Sequence, residues 1–460
     1  MDKRHIIYFF IVYVLLLSLF SIYSPRTGIH DTGEYVTIAK AISGINNASL
    51  FSAHSIVYPV FLSFFINLSQ GMLILKLTSI FWIFATSLVL YRYTKFGKKA
   101  FLLFALSPIV WYISIEVSPI LPVTFLFLLS YLNLKWWDEH RKLKNLVLSG
   151  ILMGFSVALW GGSLFLLGIL GLVYLLNRKV STALIFLVAA AVGFSPRLII
   201  DHVMFGFFLQ TTLRYFGANV TTLIGLGSSK VPGITLDLLL KVFLWIAPGL
   251  ILIFIKRRKE LRKEFWVILL FLLFFFFRSG QGRGIKYFII IAPLVCLYLA
   301  QVLTKKQLII SSVLAVAVVL FWVAPYHFAD YEEAYYQEDL ISIRDELGYD
   351  TIIAGPSKVL SYSLYLWSDT PRIIWYEDFK LSKGVDQKYS EYVFAQGQTK
   401  LPLRKRMYLE ISLLGDENNF DNLPIVAPRD MDFNEDGYVL EKCFRVLCVY
   451  SPVSEVVFNA

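Results

Sequence analysis

A bundle of membrane-crossing α-helices with a small water-facing α/β domain at its C-terminal end is the fold this sequence predicts, on three observations. Of the 460 residues, 57% are hydrophobic and only 17% are charged, whereas soluble domains hold roughly 45–50% and 25%. The apolar residues gather in long uncharged runs, and the mean hydropathy of the whole chain is +0.64. Beyond about Tyr326 the character changes: Asp and Glu become frequent, Pro, Gly and Asn occur, and apolar runs shorten to stretches such as Thr351–Ala354. A soluble chain of this length could not hide so much apolar surface, so lipid must cover part of it. The net charge of +10 would suit a nucleic-acid binder. However, the cations sit in short clusters between apolar runs, which is a topology signature, and no nucleic acid is expected as a partner.

A helix needs roughly 20 apolar residues to cross the hydrocarbon core, fewer where neighbours shelter it. Eleven segments qualify, near 6–23, 72–91, 100–114, 119–135, 146–160, 163–176, 181–199, 236–255, 265–278, 286–303 and 307–325. The first follows Lys3 and Arg4 in the manner of a signal peptide. No small-residue cleavage site comes after it, so it reads as a retained helix. Residues 55–69 are apolar for only three or four turns after a polar loop, which suits a helix lying in the interface. With the N-terminus inside, the inner loops hold Arg92, Lys95, Lys98 and Lys99, then Lys135, Arg141, Lys142 and Lys144, then Arg178 and Lys179, then Lys256 to Lys263, then Lys305 and Lys306. Inner cations outnumber outer ones by more than two to one, so an odd number of crossings with the C-terminus outside is the consistent topology.

The expectation is therefore a multi-pass plasma-membrane protein with a cytoplasmic N-terminus, a membrane domain at 1–325 and an extracytoplasmic α/β domain at 326–460. Within the latter, Ser342 to Leu347 reads as helix, and the stretch from Val439 to Tyr450 as a pair of strands. Cys443 and Cys448 are allowed to pair in an oxidising compartment, although on a single strand their spacing aims the side chains poorly.

A charge beside hydrocarbon is costly unless a function or a partner holds it, so polar residues of the outer loops are the candidates for chemistry. Asp31 and Glu34 lie three apart and share a face if a helix begins near Thr32. Asp31 is then either the helix N-cap or a general base for an attacking hydroxyl. Later landmarks are His54 with Tyr58 and Pro59, Glu116 with Ser118 and Pro119, Pro196 with Arg197, and Arg278, Arg283, Lys286 and Tyr287. The cations from Arg278 to Lys286 are interleaved with glycines. Guanidinium groups clamp phosphate, and glycine lets backbone N–H groups approach the same anion. Contact with lipid head groups is the plainer alternative for these cations, and Arg197 and Arg214 are weaker phosphate candidates.

In this order the landmarks resemble those of the GT-C glycosyltransferases, polytopic enzymes of the protein mannosyltransferase and aminoarabinose transferase kind that use polyprenyl-phosphate sugars. Their first outer loop reads Asp, a spacer, Glu-Tyr, Ile-Ala and a Gly, matched here by Asp31, Glu34, Tyr35, Ile38, Ala39 and Gly44. Many relatives place an acid directly before the proline that opens the fourth helix. This chain has Ser118 there, and Glu116 takes the acid's place. Trp136-Trp137-Asp138 spells the oligosaccharyltransferase signature but falls in an inner loop. The resemblance implies inverting transfer of a sugar from a polyprenyl-phosphate donor to a lipid, glycan or protein acceptor on the outer face. It implies Asp31, Glu34 and Glu116 as catalytic carboxylates, and Arg278, Arg283, Lys286, Tyr287 and Arg197 around the donor phosphate. For some relatives it also implies a divalent metal, Mg or Mn, which Glu34 and His54 would hold. The rival class is a transporter, which usually carries an internal repeat and ionisable groups near the bilayer midplane. The sequence displays neither.

Overall fold

A computed structural model describes residues 3–24, 26, 31–44, 54–68, 72–94, 96–176, 178–213, 215, 236–255, 261–278, 282–329, 335–355, 372–375, 423–431, 433–435 and 437–453. Helices run Lys3–Tyr23 (α1), Asp31–Ile42 (α2), Val57–Leu68 (α3), Met72–Tyr93 (α4), Gly97–Ala105 (α5), Pro108–Ile113 (α6), Ile120–His140 (α7), Leu143–Leu159 (α8), Ser163–Leu175 (α9) and Val180–Phe205 (α10). They continue as Leu236–Trp245 (α11), Leu252–Ile255 (α12), Arg262–Arg278 (α13), a 3-10 helix Gly282–Ile290, Ala292–Val302 (α14) and Lys305–Phe328 (α15). By length and hydropathy α4, α7, α10 and α15 can each cross a membrane, and Gly284–Ile290 with Ala292–Val302 forms a further span bent by 57°. Tyr8–Tyr23, Val57–Leu68, Leu143–Leu159 and Ser163–Leu175 are shorter apolar helices.

Besides 286–303, which bends between Ile290 and Ala292, two more of the expected spans are broken helices. The segment 100–114 divides at Ser107, where Pro108 opens α6 as its first residue. The segment 236–255 divides at Pro248 and Gly249, the latter at φ 107. Proline cannot supply the N–H that continues a helix, and the carbonyls released by a break inside lipid need new donors. Ser107 Oγ donates to Trp245 O at 3.1 Å, and Ser311 Oγ donates to Pro248 O. Both hydroxyls repair the second break, and at the first the Trp111 indole N–H donates to Ala105 O at 2.9 Å.

Close packing of α8 on α10 fixes what their ends can reach. A Cβ on Gly154 would lie 1.9 Å from Ala190 O, and one on Gly193 would lie 2.0 Å from Ile151 O. Only glycine lets the two backbones approach so far, as at membrane helix interfaces generally. The contact holds Trp160, which follows α8, and Arg197 on α10 at the same end of the bundle.

The C-terminal part has helix Tyr336–Leu347 (α16) and strands Thr351–Ala354 (β1), Arg372–Trp375 (β2), Ile425–Pro428 (β3), Tyr438–Cys443 (β4) and Leu447–Pro452 (β5). The sheet order is β2-β1-β3-β5-β4, parallel among the first three and antiparallel around β5. Asp339 ties α16 to the sheet by accepting from the backbone N–H of Val446 at 2.8 Å and Leu447 at 2.9 Å. The helix and the strand pair stand where the sequence places them. The single-strand geometry for the cysteines does not: Cys443 and Cys448 lie directly opposite one another on β4 and β5 and form a disulfide. A tight turn between them reverses the chain, so their side chains meet across the hairpin.

Candidate functional site

The site is built around the buried turn 114–118 that joins α6 to α7. Its carbonyls point into the bundle, where no water can satisfy them. Hydroxyls from three helices do so instead. Ser21 Oγ of α1 donates to Ser114 O at 3.1 Å, Ser79 Oγ of α4 to Glu116 O at 2.7 Å, and Thr32 Oγ1 of α2 to Val117 O at 3.2 Å. Lys76 Nζ completes the frame by donating to Ser21 O and Ser24 O, both at 2.9 Å, at the C-terminal end of α1. A cation there also meets the negative end of the helix dipole.

The turn presents Glu116, 8% exposed, to Lys286: Nζ lies 3.8 Å from Glu116 Oε2. Tyr287, next along the 3-10 helix, stacks on Trp160 with centroids 5.2 Å apart and planes at 13°. On the other side of the turn, α2 begins at Asp31, so the helix starts one residue before the expected point. Glu34 is buried, with Oε2 3.8 Å from His54 Nε2. Tyr35 packs its ring on His54 at 5.5 Å and on Tyr58 at 5.4 Å. Ser55 Oγ donates to Ala158 O, which fastens the His54 segment to the end of α8. The early acid Glu34, the middle acid Glu116 and the late cation Lys286 therefore meet at one end of the bundle. The chain brings them together over about 250 residues of sequence.

Other expected residues divide. The backbones of Asp31, Arg278 and Arg283 are placed, at the start of α2, the end of α13 and within the 3-10 helix, while their side chains lie outside the described residues. Arg214 lies wholly outside them. Arg197 is 1% exposed. Its Nε donates to Thr211 Oγ1 at 3.0 Å, and Thr211 in turn donates its hydroxyl to Asp201 Oδ1 at 2.8 Å and its N–H to Oδ2 at 3.0 Å. This network closes the chain reversal that follows Gly206, whose φ of 70° is the left-handed conformation glycine accepts. Beyond the reversal, the Tyr215 ring lies against Gly161, where a Cβ would come within 2.8 Å of it.

Sequence reading passed over Lys76, Asp201 and the hydroxyls. Lys76 and Asp201 do carry a signal, since each is a charge within or at the end of an apolar run. Among the described residues no group of three His, Cys, Asp or Glu side chains is placed to hold a metal ion. Glu34 and His54 form a pair, an oxygen and a nitrogen donor, on which such a site could start.

No family model matches the chain, and no curated protein matches it by sequence. Solved structures do match. ArnT from Cupriavidus metallidurans, solved bound to undecaprenyl phosphate, superposes at TM-score 0.62 over 98% of this chain and 98% of its own, with 11% identity. The chain has the GT-C fold. Arabinosyltransferase EmbB from Mycobacterium smegmatis matches at TM-score 0.46 and 13% identity, over 72% of this chain and 34% of EmbB. An oligosaccharyltransferase from Archaeoglobus fulgidus, solved with Zn and sulfate, matches at 0.46 and 13%, over 90% of this chain and 68% of its own. At such identities the likeness establishes architecture and leaves the chemistry to the residues. On the GT-C frame the protein is a multi-pass membrane protein, and buried Glu34, Lys76 and Glu116 lie around the turn 114–118.

Proposed function

We propose that the protein is an inverting glycosyltransferase that moves a sugar from a polyprenyl-phosphate donor to an acceptor at the outer membrane face. The observation that carries this reading is the meeting of Glu34, Glu116 and Lys286 around one buried turn. Charges so placed are costly in lipid unless a charged substrate uses them. Lys286, with Arg283, Arg278 and Arg197, neutralises the charge growing on the departing phosphate, and Tyr287 walls the site against Trp160. Asp31 takes the proton from the acceptor hydroxyl, which attacks the anomeric carbon from the side opposite the phosphate. Glu34 and Glu116 accept hydrogen bonds from the sugar hydroxyls. A divalent metal, Mg or Mn, would be held at Glu34 and His54, and when bound it would share in neutralising the phosphate. Lipids, glycans and proteins remain open as acceptors.

The test is transfer of radiolabelled sugar from synthetic polyprenyl-phosphate donors by the purified protein. Asp31→Asn is expected to lower turnover by about 10²–10⁴, and Lys286→Gln to lower it by about tenfold or more. Turnover that is equal in all three proteins removes both residues from the mechanism. Its absence with every donor refutes the transferase and favours a transporter or binding protein of the same fold. Chelation of divalent metal with EDTA, followed by re-addition of Mg or Mn, reads the metal's share directly.

A further inference from the structure

The end of the bundle opposite the candidate site holds a second charge cluster that sugar transfer does not use. α7 starts beside Glu116 and runs 21 residues to His140. That carries it about 30 Å, the thickness of the hydrocarbon core. At this far end three cations surround Asp138. Arg178 Nη2 lies 2.6 Å and Arg141 Nη2 3.6 Å from its Oδ1, while Lys263 Nζ bonds Oδ2. They come from the turn after α7, the connection after α9 and the start of α13, so the ring forms only in the folded bundle. The neighbouring buried carboxylate, Glu264, is taken by Lys135 Nζ at 2.7 Å and by the Tyr131 hydroxyl at 2.8 Å. One carboxylate cannot neutralise three cations, and the ring keeps a net positive excess.

The ring also faces outward. Side chains of Arg141, Arg178 and Lys263 stay between 33% and 50% exposed. Arg141 lies over the Trp137 ring at 5.0 Å and Lys263 over Tyr174 at 4.7 Å, so two buried aromatics support the cations from beneath. Arg141 caps α7 at φ 56°, a left-handed position that usually goes to glycine. A side chain with a Cβ is strained there, and the return is a guanidinium fixed at the rim of the ring.

We propose that this ring binds the phosphate of an anionic membrane phospholipid. The guanidinium groups offer paired donors to phosphate oxygens, Lys263 adds a point charge, and the acyl chains lie along exposed apolar side chains nearby, Leu172 of α9, Leu176 after it and Trp266 of α13. The site is independent of the donor chemistry and of which face of the membrane it occupies.

The full-length protein in a neutral detergent is titrated with dioctanoyl phosphatidylglycerol, dioctanoyl phosphatidylcholine or inorganic phosphate. Native mass spectrometry counts the adducts, with Tm recorded in parallel. Phosphatidylglycerol is expected to bind in preference to the other two. The double variant Arg178→Gln with Lys263→Gln should weaken it at least tenfold. A control of equal charge change at exposed positions, Lys142→Gln with Lys144→Gln, should stay within twofold. Arg141→Asn separates binding from folding, because Asn accepts the left-handed backbone: affinity should fall at least threefold while Tm holds or rises. Equal losses in the two double variants would reduce the ring to part of a general field. Phosphatidylcholine binding as tightly as phosphatidylglycerol, inorganic phosphate displacing the lipid at matched concentration, or no phosphatidylglycerol adduct at all would each overturn the proposal.

Discussion

Ser79 and Ser87 sit on the same helix, two turns apart, and nothing in the local sequence distinguishes them. Ser87 Oγ turns back to Ile83 O of its own helix at 2.9 Å, whereas Ser79 Oγ reaches across to Glu116 O at 2.7 Å. Serine in an apolar helix can satisfy itself at the i−4 carbonyl, so a sequence cannot say which hydroxyl leaves its helix to build a site. Glu34, Glu116 and Lys286 stand out in the sequence for the opposite reason: charge is conspicuous where lipid forbids it. Removing the crossing hydroxyl should matter out of proportion to its size. Ser79→Ala leaves a buried carbonyl unsatisfied, worth about 1–3 kcal/mol, while Ser87→Ala leaves no carbonyl of another element unsatisfied. The expected result is a lower Tm and reduced transfer activity for Ser79→Ala alone, read by thermal melting in detergent and by the donor assay. Thr211 gives a parallel case. Thr211→Val removes the bridge between Arg197 and Asp201 without changing shape, and Thr211→Ser keeps it. Donor KM should rise for the valine variant by roughly tenfold, the worth of a charge-assisted hydrogen bond of about 1.5–3 kcal/mol, and recover with serine.

At the scale of elements, hydropathy found the apolar segments, because lipid coverage selects for composition over a whole turn-by-turn surface. It did not find the breaks at Ser107-Pro108 and Pro248-Gly249, since a window average blurs a single proline and the hydroxyls that repair the second come from distant chain. Nor could it pair α8 with α10. That contact rests on Gly150, Gly154 and Gly193, each facing backbone of the other helix at distances that exclude a Cβ. Gly154→Val should therefore push the helices apart, at a cost of about 1–3 kcal/mol for overpacking. Because Trp160 ends one helix and Arg197 rides on the other, the same change should blunt transfer activity. Gly168→Val is the matched control, since nothing lies within 4 Å of a Cβ there. Thermal melting of the two variants side by side checks the expectation: a lower Tm for the first and an unchanged one for the second.

At the scale of the molecule, charge asymmetry argues that the C-terminal sheet lies outside the cytoplasm, and the cysteines supply an independent way to ask. Cys296 is buried in the bundle, Cys443 and Cys448 are joined, and Cys443 lies on the exposed strand β4. A disulfide persists where the compartment is oxidising and opens to thiols where it is reducing. Intact cells expressing the Cys296→Ser variant would be treated with a membrane-impermeant maleimide before and after a membrane-impermeant phosphine. With the sheet outside, labelling is expected only after reduction and at two sites per chain, and inverted vesicles should show none under either condition. Labelling confined to inverted vesicles, or labelling there without reduction, would put the sheet in the cytoplasm. The Asp138 ring would then face outward, and the charge bias that ordered the helices would have to be read in reverse.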